Sequence, residues 1–450
     1  MTLLSFNRAT TLKEAFHACP AERALTDGDE IEKYYVDLSQ VRTTEAIEGV
    51  SSKLDFLTPG EYSTILFTGH RGCGKTTELK RIQSRWEKEY LVIFINASEE
   101  IDINDVSYTD LYLVIIKQVE SELRRLDIHF DAKLLESFES WFKETTKETE
   151  ETVEKSIGIT ASIEGSAQIP FIAKLWAKLL SQIKGSNTQR ITIRQTLEQG
   201  ISRLKAGINL LLGDGTDKLR RKFPQYKGLL IILDTLDRVP PHVGDHLFFD
   251  YAAQLQELNC TIIYTVPISA LYSAKHLSNT FGSPNIVPSV NIYELDRQQV
   301  HLNSDQKGLE AIASLIERRV EVEAIFESRQ QLLELAKASS GHVRQLMTMM
   351  QTACLTAHGR GHTKLTAEDI DYAIKQEQFN FERSIPNQHY PLIAQVCLDK
   401  NMNKDEESQI MLFGTSVLEY NGKERWNYVN SLVKKIDAFQ KALQSTVTSI

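Results

Sequence analysis

The 450-residue sequence is poor in cysteine: Cys19, Cys73, Cys260, Cys354 and Cys397 are scattered and odd in number. No two of them form a C-x-x-C pair, so neither a disulfide framework nor a zinc site is expected, and a reducing cytoplasm fits best. No apolar run approaches the roughly 18 residues of a membrane span. The opening Met1-Thr-Leu-Leu-Ser-Phe-Asn-Arg8 lacks the charged start and apolar stretch of a secretory leader. An excess of positive charge is missing too, with 51 Lys and Arg against 60 Asp and Glu and a formal charge of −9. That balance gives no support to wholesale binding of nucleic acid or membrane, although it leaves room for a local basic patch. What is present, 42% hydrophobic and 25% charged residues, describes a soluble globular chain long enough for two or three domains.

The order of apolar runs predicts an α/β fold. Residues 1–60 read as mixed helical segments closed by the Thr58-Pro59-Gly60 turn. A short apolar run at Thr64–Thr68 leads into a glycine-rich loop, a helix follows from Glu78, and a second strand-like run occupies Leu91–Ile95. Strand, loop, helix and strand make a βαβ unit and favour a parallel sheet. Further strands are expected at Leu229–Leu233 and Thr261–Thr265, with a fifth near Val290–Tyr293. Residues 107–126 read as an amphipathic helix. The stretch 131–226 reads as an insertion of a hairpin, from the alternating segment 157–165, plus helices, including a long run over 187–212. The expected organisation is an N-terminal segment (1–60), an α/β core (61–300), a helical segment (301–380) and a C-terminal domain (381–450). Within the helical segment, Gly341 breaks the helical pattern and Thr366-Ala-Glu-Asp369 has the form of a capping box. The last domain carries a predicted hairpin, 416–420 and 426–429, about an Asn421-Gly422 turn.

The loop Gly69-His70-Arg71-Gly72-Cys73-Gly74-Lys75-Thr76 matches G-x-x-x-x-G-K-[ST] at every fixed position. Gly69, Gly72 and Gly74 free the backbone so that its N–H groups, with those of Cys73 and Thr77, can wrap phosphates. Lys75 adds a point charge for the β- and γ-phosphates, and Thr76 offers a hydroxyl to Mg²⁺. The helix that begins there directs its positive end at the same anion. ATP with Mg²⁺ is the expected ligand. The run Leu229–Leu233 then delivers Asp234 to the exposed end of a buried strand, where it can hold Mg²⁺ through water opposite Thr76. Asp237, three residues on, is open to two readings: it orients water, or it caps the next turn.

Together, Gly69–Thr76, the D-x-x-D at 234–237 and the later helical segment resemble AAA+ and STAND-type ATPases, most nearly their origin-recognition-like branch. The resemblance implies a P-loop core, a helical lid and a winged-helix-like C-terminal domain. It implies a sensor arginine from Ser340-Gly341-His342-Val343-Arg344, making Arg344 a catalytic candidate beside Asp234 and Asp237, and a polar first sensor at Thr265. It also implies a glutamate directly after Asp234, where this chain has Thr235; slow hydrolysis follows as an expectation. Homo-oligomers with an arginine finger are implied as well, with Arg297, Arg318 and Arg319 as candidates. Residues 381–450 hold eight basic and eight acidic side chains, which favours a protein partner or autoinhibition over DNA reading. The loop Gly69–Leu79 further resembles those of bacterial ATPases in antiviral defence. The expected function is an ATP-dependent switch controlling assembly or a partner effector; the alternatives are a DNA-dependent ATPase of replication or transposition, and an ATP-binding scaffold with little hydrolysis.

Overall fold

The computed structural model describes residues 8–147 and 187–448. The alternating segment 157–165, and with it the expected hairpin of the insertion, lies outside the described residues. Five parallel strands form the central sheet: β1 (Thr64–Gly69), β2 (Tyr90–Asn96), β3 (Gly228–Asp234), β4 (Thr261–Pro267) and β5 (Asn285–Val287), in the order β2-β3-β4-β1-β5. β3 and β4 are buried along their whole length, which is why their sequences read as unbroken apolar runs.

Side-chain alternation decides which layer each strand residue feeds. Leu229, Ile231 and Leu233 pack on one face with the helices Tyr108–Arg125 and Ile201–Lys222. Leu230 and Ile232 pack on the other, against the helices Ala46–Phe56 and Lys75–Trp86. Part of the 131–226 insertion therefore completes the sheet's own core: Leu204, Ile208, Leu211 and Leu219 are all fully covered. The long run expected over 187–212 is two helices, Asn187–Gln199 and Ile201–Lys222.

The fifth strand is not at Val290–Tyr293, as the apolar alternation suggested, but at Asn285–Val287, paired with the end of β1. Val290 and Ile292 are buried, yet their backbone pairs elsewhere: the Val290 N–H donates to the Gly341 carbonyl, and the Ile292 carbonyl accepts from Asp305. This segment is the crossing from the sheet into the helical half of the molecule.

That helical half shares one continuous core. It joins the helix Leu12–Ala18 to the helices Gln306–Glu317, Arg329–Ala338, Val343–Gly359, Ala367–Ser384 and His389–Asp399, and to an antiparallel hairpin of β6 (Val417–Asn421) and β7 (Arg425–Val429). Thr366 and Asp369 form the capping box that opens Ala367–Ser384. The hairpin closes through Gly422–Glu424 rather than a two-residue turn, because Asn421 remains in the ladder opposite Arg425. Its aromatics face inward: Tyr420 stacks on Trp426 at 4.7 Å, and both lie against Tyr293. Trp426→Ala should cost about 3–5 kcal/mol of stability. Trp426→Phe should cost much less, since the buried indole N–H it removes has no partner among the described residues. Chemical denaturation of the two variants measures the difference.

Candidate nucleotide-binding cleft

β1 ends at Gly69 and the helix Lys75–Trp86 begins six residues later. Between them Gly72 and Gly74 adopt φ of 91° and 102°, left-handed values that strain any residue with a Cβ. At Gly72 a Cβ would also stand 2.7 Å from Cβ of Arg344 and 2.8 Å from Cε1 of His342, so loop and lid meet there at backbone distance. The helix has no side-chain cap, which leaves first-turn N–H groups available to an anion.

Lys75 is only 4% exposed, and Nζ spends its three donors on the Gly69 and His70 carbonyls and on Oδ2 of Asp237, each at 2.8 Å. Burial works against its charge, but Asp237 outweighs that and raises the ammonium above its usual pKa. Thr76 donates to Oδ2 of Asp234 at 2.7 Å, while Oδ1 of Asp234 accepts the Thr235 N–H at 2.8 Å. Burial, reinforced by the charge of Asp237, raises the Asp234 pKa. A divalent cation arriving beside Thr76 would remove that cost.

The other expected residues fall into four groups. Arg344 reaches the cleft: its backbone N–H donates to the Gly72 carbonyl at 3.1 Å, and its side chain lines the opening. Cys73 and Thr77 contribute differently from the glycines. The Cys73 thiol turns into the core toward the Val287 carbonyl, leaving its main chain at the cleft, and the Thr77 hydroxyl accepts the Leu25 N–H at 3.2 Å. Thr265 is not brought to the cleft. It is fully buried and its hydroxyl donates to the Leu233 carbonyl, tying β4 to β3. Arg297 pairs with Glu424 at 2.6 Å, Arg318 donates to the Lys33 and Glu32 carbonyls, and Arg319 is buried in the cleft of its own chain.

Thr235 stands where a catalytic glutamate was the expectation, at φ 72°. Its hydroxyl donates to Oδ1 of Asn96, at the tip of the neighbouring β2, and accepts the Ser98 N–H. This position is filled by a closed hydroxyl–amide pair and offers no base.

Sequence reasoning missed the N-terminal wall. The segment Pro20–Leu25 and residues Tyr34–Val36 line the cleft, together with Leu38, Leu315, Val343 and Met347, an apolar slot beside the phosphate loop. Arg42, 3% exposed, donates to the Cys73 carbonyl at 2.5 Å. Among the described residues, Nε of Arg42, of Arg319 and of Arg344 is in each case buried without a partner. Orphaned cationic donors beside an uncapped helix start fit a polyanion. Among the described residues no three His, Cys, Asp or Glu side chains gather into a metal site. A cation held by Thr76 and Asp234 would therefore be shared with the anion, which is how Mg²⁺ is usually bound.

Fold and cleft define an α/β protein with a phosphate loop at the carboxyl edge of a parallel sheet. No family model matches the chain, and no curated protein does. Among solved structures it is similar to the ORC2 protein of Aeropyrum pernix in ADPNP–ADP complexes (11% identity over 90% of this chain and 94% of that one, TM-score 0.38). It is also similar to Cdc6p of Pyrobaculum aerophilum (11%, 96% and 98%, TM-score 0.36) and to a Thermotoga maritima RuvB variant (12%, 91% and 95%, TM-score 0.33). Scores this low carry no argument of their own, and the reading rests on the cleft.

Proposed function

We propose that this chain is an ATP-binding, magnesium-dependent switch of AAA+/STAND type with slow hydrolysis, which passes the state of its cleft to the helical half and so to assembly or a partner effector. The observation that carries it is the meeting at one cleft of Lys75 and Thr76, the latter bonded to Asp234 at the end of β3, with Arg344 from the helical half. Mg²⁺, when bound, neutralises charge on the terminal phosphates. Thr76 and Asp234 would hold it, the loop N–H groups and Lys75 would cradle the phosphates, and Arg344 would add a cation from across the cleft. An anion touching both halves favours the arrangement that brings them together.

The test is ATP binding and phosphate release by the full chain with Mg²⁺. Asp234→Asn keeps the shape and removes the charge; it should lower turnover by about 10²-fold or more, the scale of losing an electrostatic catalytic contact. Turnover in that variant equal to wild type would sink the metal assignment. Thr235 favours a second reading, a scaffold that binds ATP and turns it over little; phosphate release that depends on Asp237 would exclude it. The setting in antiviral defence rests on the resemblance of Gly69–Leu79 alone. DNA reading by the C-terminal hairpin gains no support from Trp426 and Tyr428, which are buried in their own core.

A further inference from the structure

His70 is fully buried within the phosphate loop, 349 residues before its partner. Its Nε2 accepts the backbone N–H of Glu419 at 2.7 Å. That N–H lies on β6, one of two strands in its sheet among the described residues. A two-stranded hairpin leaves N–H groups on its outer edges without ladder partners, and His70 satisfies this one. Burial, with His342 and Lys75 nearby, holds His70 well below the usual imidazole pKa, so the ring is neutral and able to accept. The carbonyl of the same residue accepts Nζ of Lys75. One residue thus touches the hairpin with its side chain and the phosphate-binding lysine with its backbone.

The hairpin also grips the lid. Tyr420 donates to the Ser340 carbonyl at 2.7 Å, the Ser431 N–H donates to the Ser340 hydroxyl at 2.6 Å, and Asn430 donates to Gln345 at 3.0 Å. Ser340 and Gln345 flank His342 and Arg344. His342 donates through Nε2 to the Arg71 carbonyl at 2.7 Å and accepts the Gln345 N–H at Nδ1, using both ring nitrogens. Arg344 donates to Gly72. Three successive loop residues, His70, Arg71 and Gly72, are therefore fastened in turn to hairpin, lid and lid. Below them Glu419 is buried and accepts from Tyr272, which stands just past β4 and also accepts from Asn427 of β7.

We propose that the β6–β7 hairpin is a clasp on the phosphate loop, with His70 as the positioning residue through which occupancy of the cleft and seating of the hairpin are coupled. This rests on the nucleotide-binding reading. Coupling between two binding events is reciprocal: the factor by which ATP alters hairpin opening is the factor by which an opened hairpin alters ATP affinity.

Hydrogen exchange of peptides spanning 417–429 tests it in the full chain, with and without ATP and Mg²⁺. Loss of one buried hydrogen bond in His70→Leu should raise hairpin exchange about tenfold without nucleotide. ATP should change hairpin exchange in the wild type but not in His70→Leu. His70→Gln, whose amide oxygen can accept at similar reach, should behave as wild type and guards against simple misfolding. Tyr420→Phe, which removes only the hydroxyl bonded to Ser340, should shift ATP affinity by a measurable factor. The proposal is overturned by unchanged hairpin exchange in His70→Leu, or by an equal ATP response in wild type and His70→Leu. Absence of ATP binding by the wild type would sink the functional reading separately, and the nucleotide-free comparison of Leu with Gln would still decide the clasp.

Discussion

Replacing Lys75 with alanine is expected to weaken ATP binding by roughly 2–5 kcal/mol, the cost of deleting one member of a desolvated charge pair. At 1.4 kcal/mol per decade that is about 30-fold to several thousand-fold in Kd. Lys75 is the one lysine that lines the cleft among the described residues, and its ammonium already sits among the loop carbonyls. The variant carries a second effect that must be separated from the first. Asp237 is 8% exposed, and without Lys75 its carboxylate is left buried and unpaired, a change that destabilises proteins by about 3–5 kcal/mol. The double variant Lys75→Ala with Asp237→Asn removes both charges. It should recover most of the lost stability in denaturation while ATP binding in calorimetry stays weakened. Wild-type affinity in either variant would remove the phosphate site from Gly69–Thr76.

Asp237→Asn alone should act in two directions at once. Before nucleotide arrives, the carboxylate of Asp237 occupies Lys75, so an incoming phosphate must compete with it. Neutralising Asp237 removes the competitor, and ATP affinity should rise about tenfold, the scale of a charge-assisted hydrogen bond. Hydrolysis should fall about 10²-fold or more if Asp237, released from Lys75, is the group that orients water. Thr235 cannot take that part, since its hydroxyl is spent on Asn96 and Ser98. An unaltered Kd would show that the ion pair does not compete with nucleotide. A lower Kd with unaltered turnover would move the base elsewhere.

The legible parts of this molecule were those written in consecutive residues. β1 to β4 stand where the apolar runs put them, because a strand buried on both faces needs such a run. The phosphate loop and Asp234 are local patterns; Thr76, which lines the cleft with Arg344, donates to Asp234. β5 was misplaced because it is three residues long, while Val290–Tyr293 alternates convincingly but spends its hydrogen bonds on Gly341 and Asp305. Thr265 looked like a polar strand tip, yet β4 continues to Pro267 and covers it. What lay hidden depends on pairs far apart in the chain. Arg42 beneath Cys73, Leu25 over Thr77 and His70 against Glu419 follow no periodicity. The Lys75–Asp237 pair was equally hidden, because spacing alone offered Asp237 two other roles.

The strap of Pro20–Leu25, latched to Thr77 on one side of the cleft, and the lid held to Arg71 and Gly72 on the other, bear on time as much as on affinity. A ligand closed in by hydrogen-bonded chain on two sides leaves only when one side lets go, so its residence is set by the opening rate of the protein. On the proposed function, spent nucleotide would stay after the chemistry is finished, and the protein would keep a record of its last firing until release reset it.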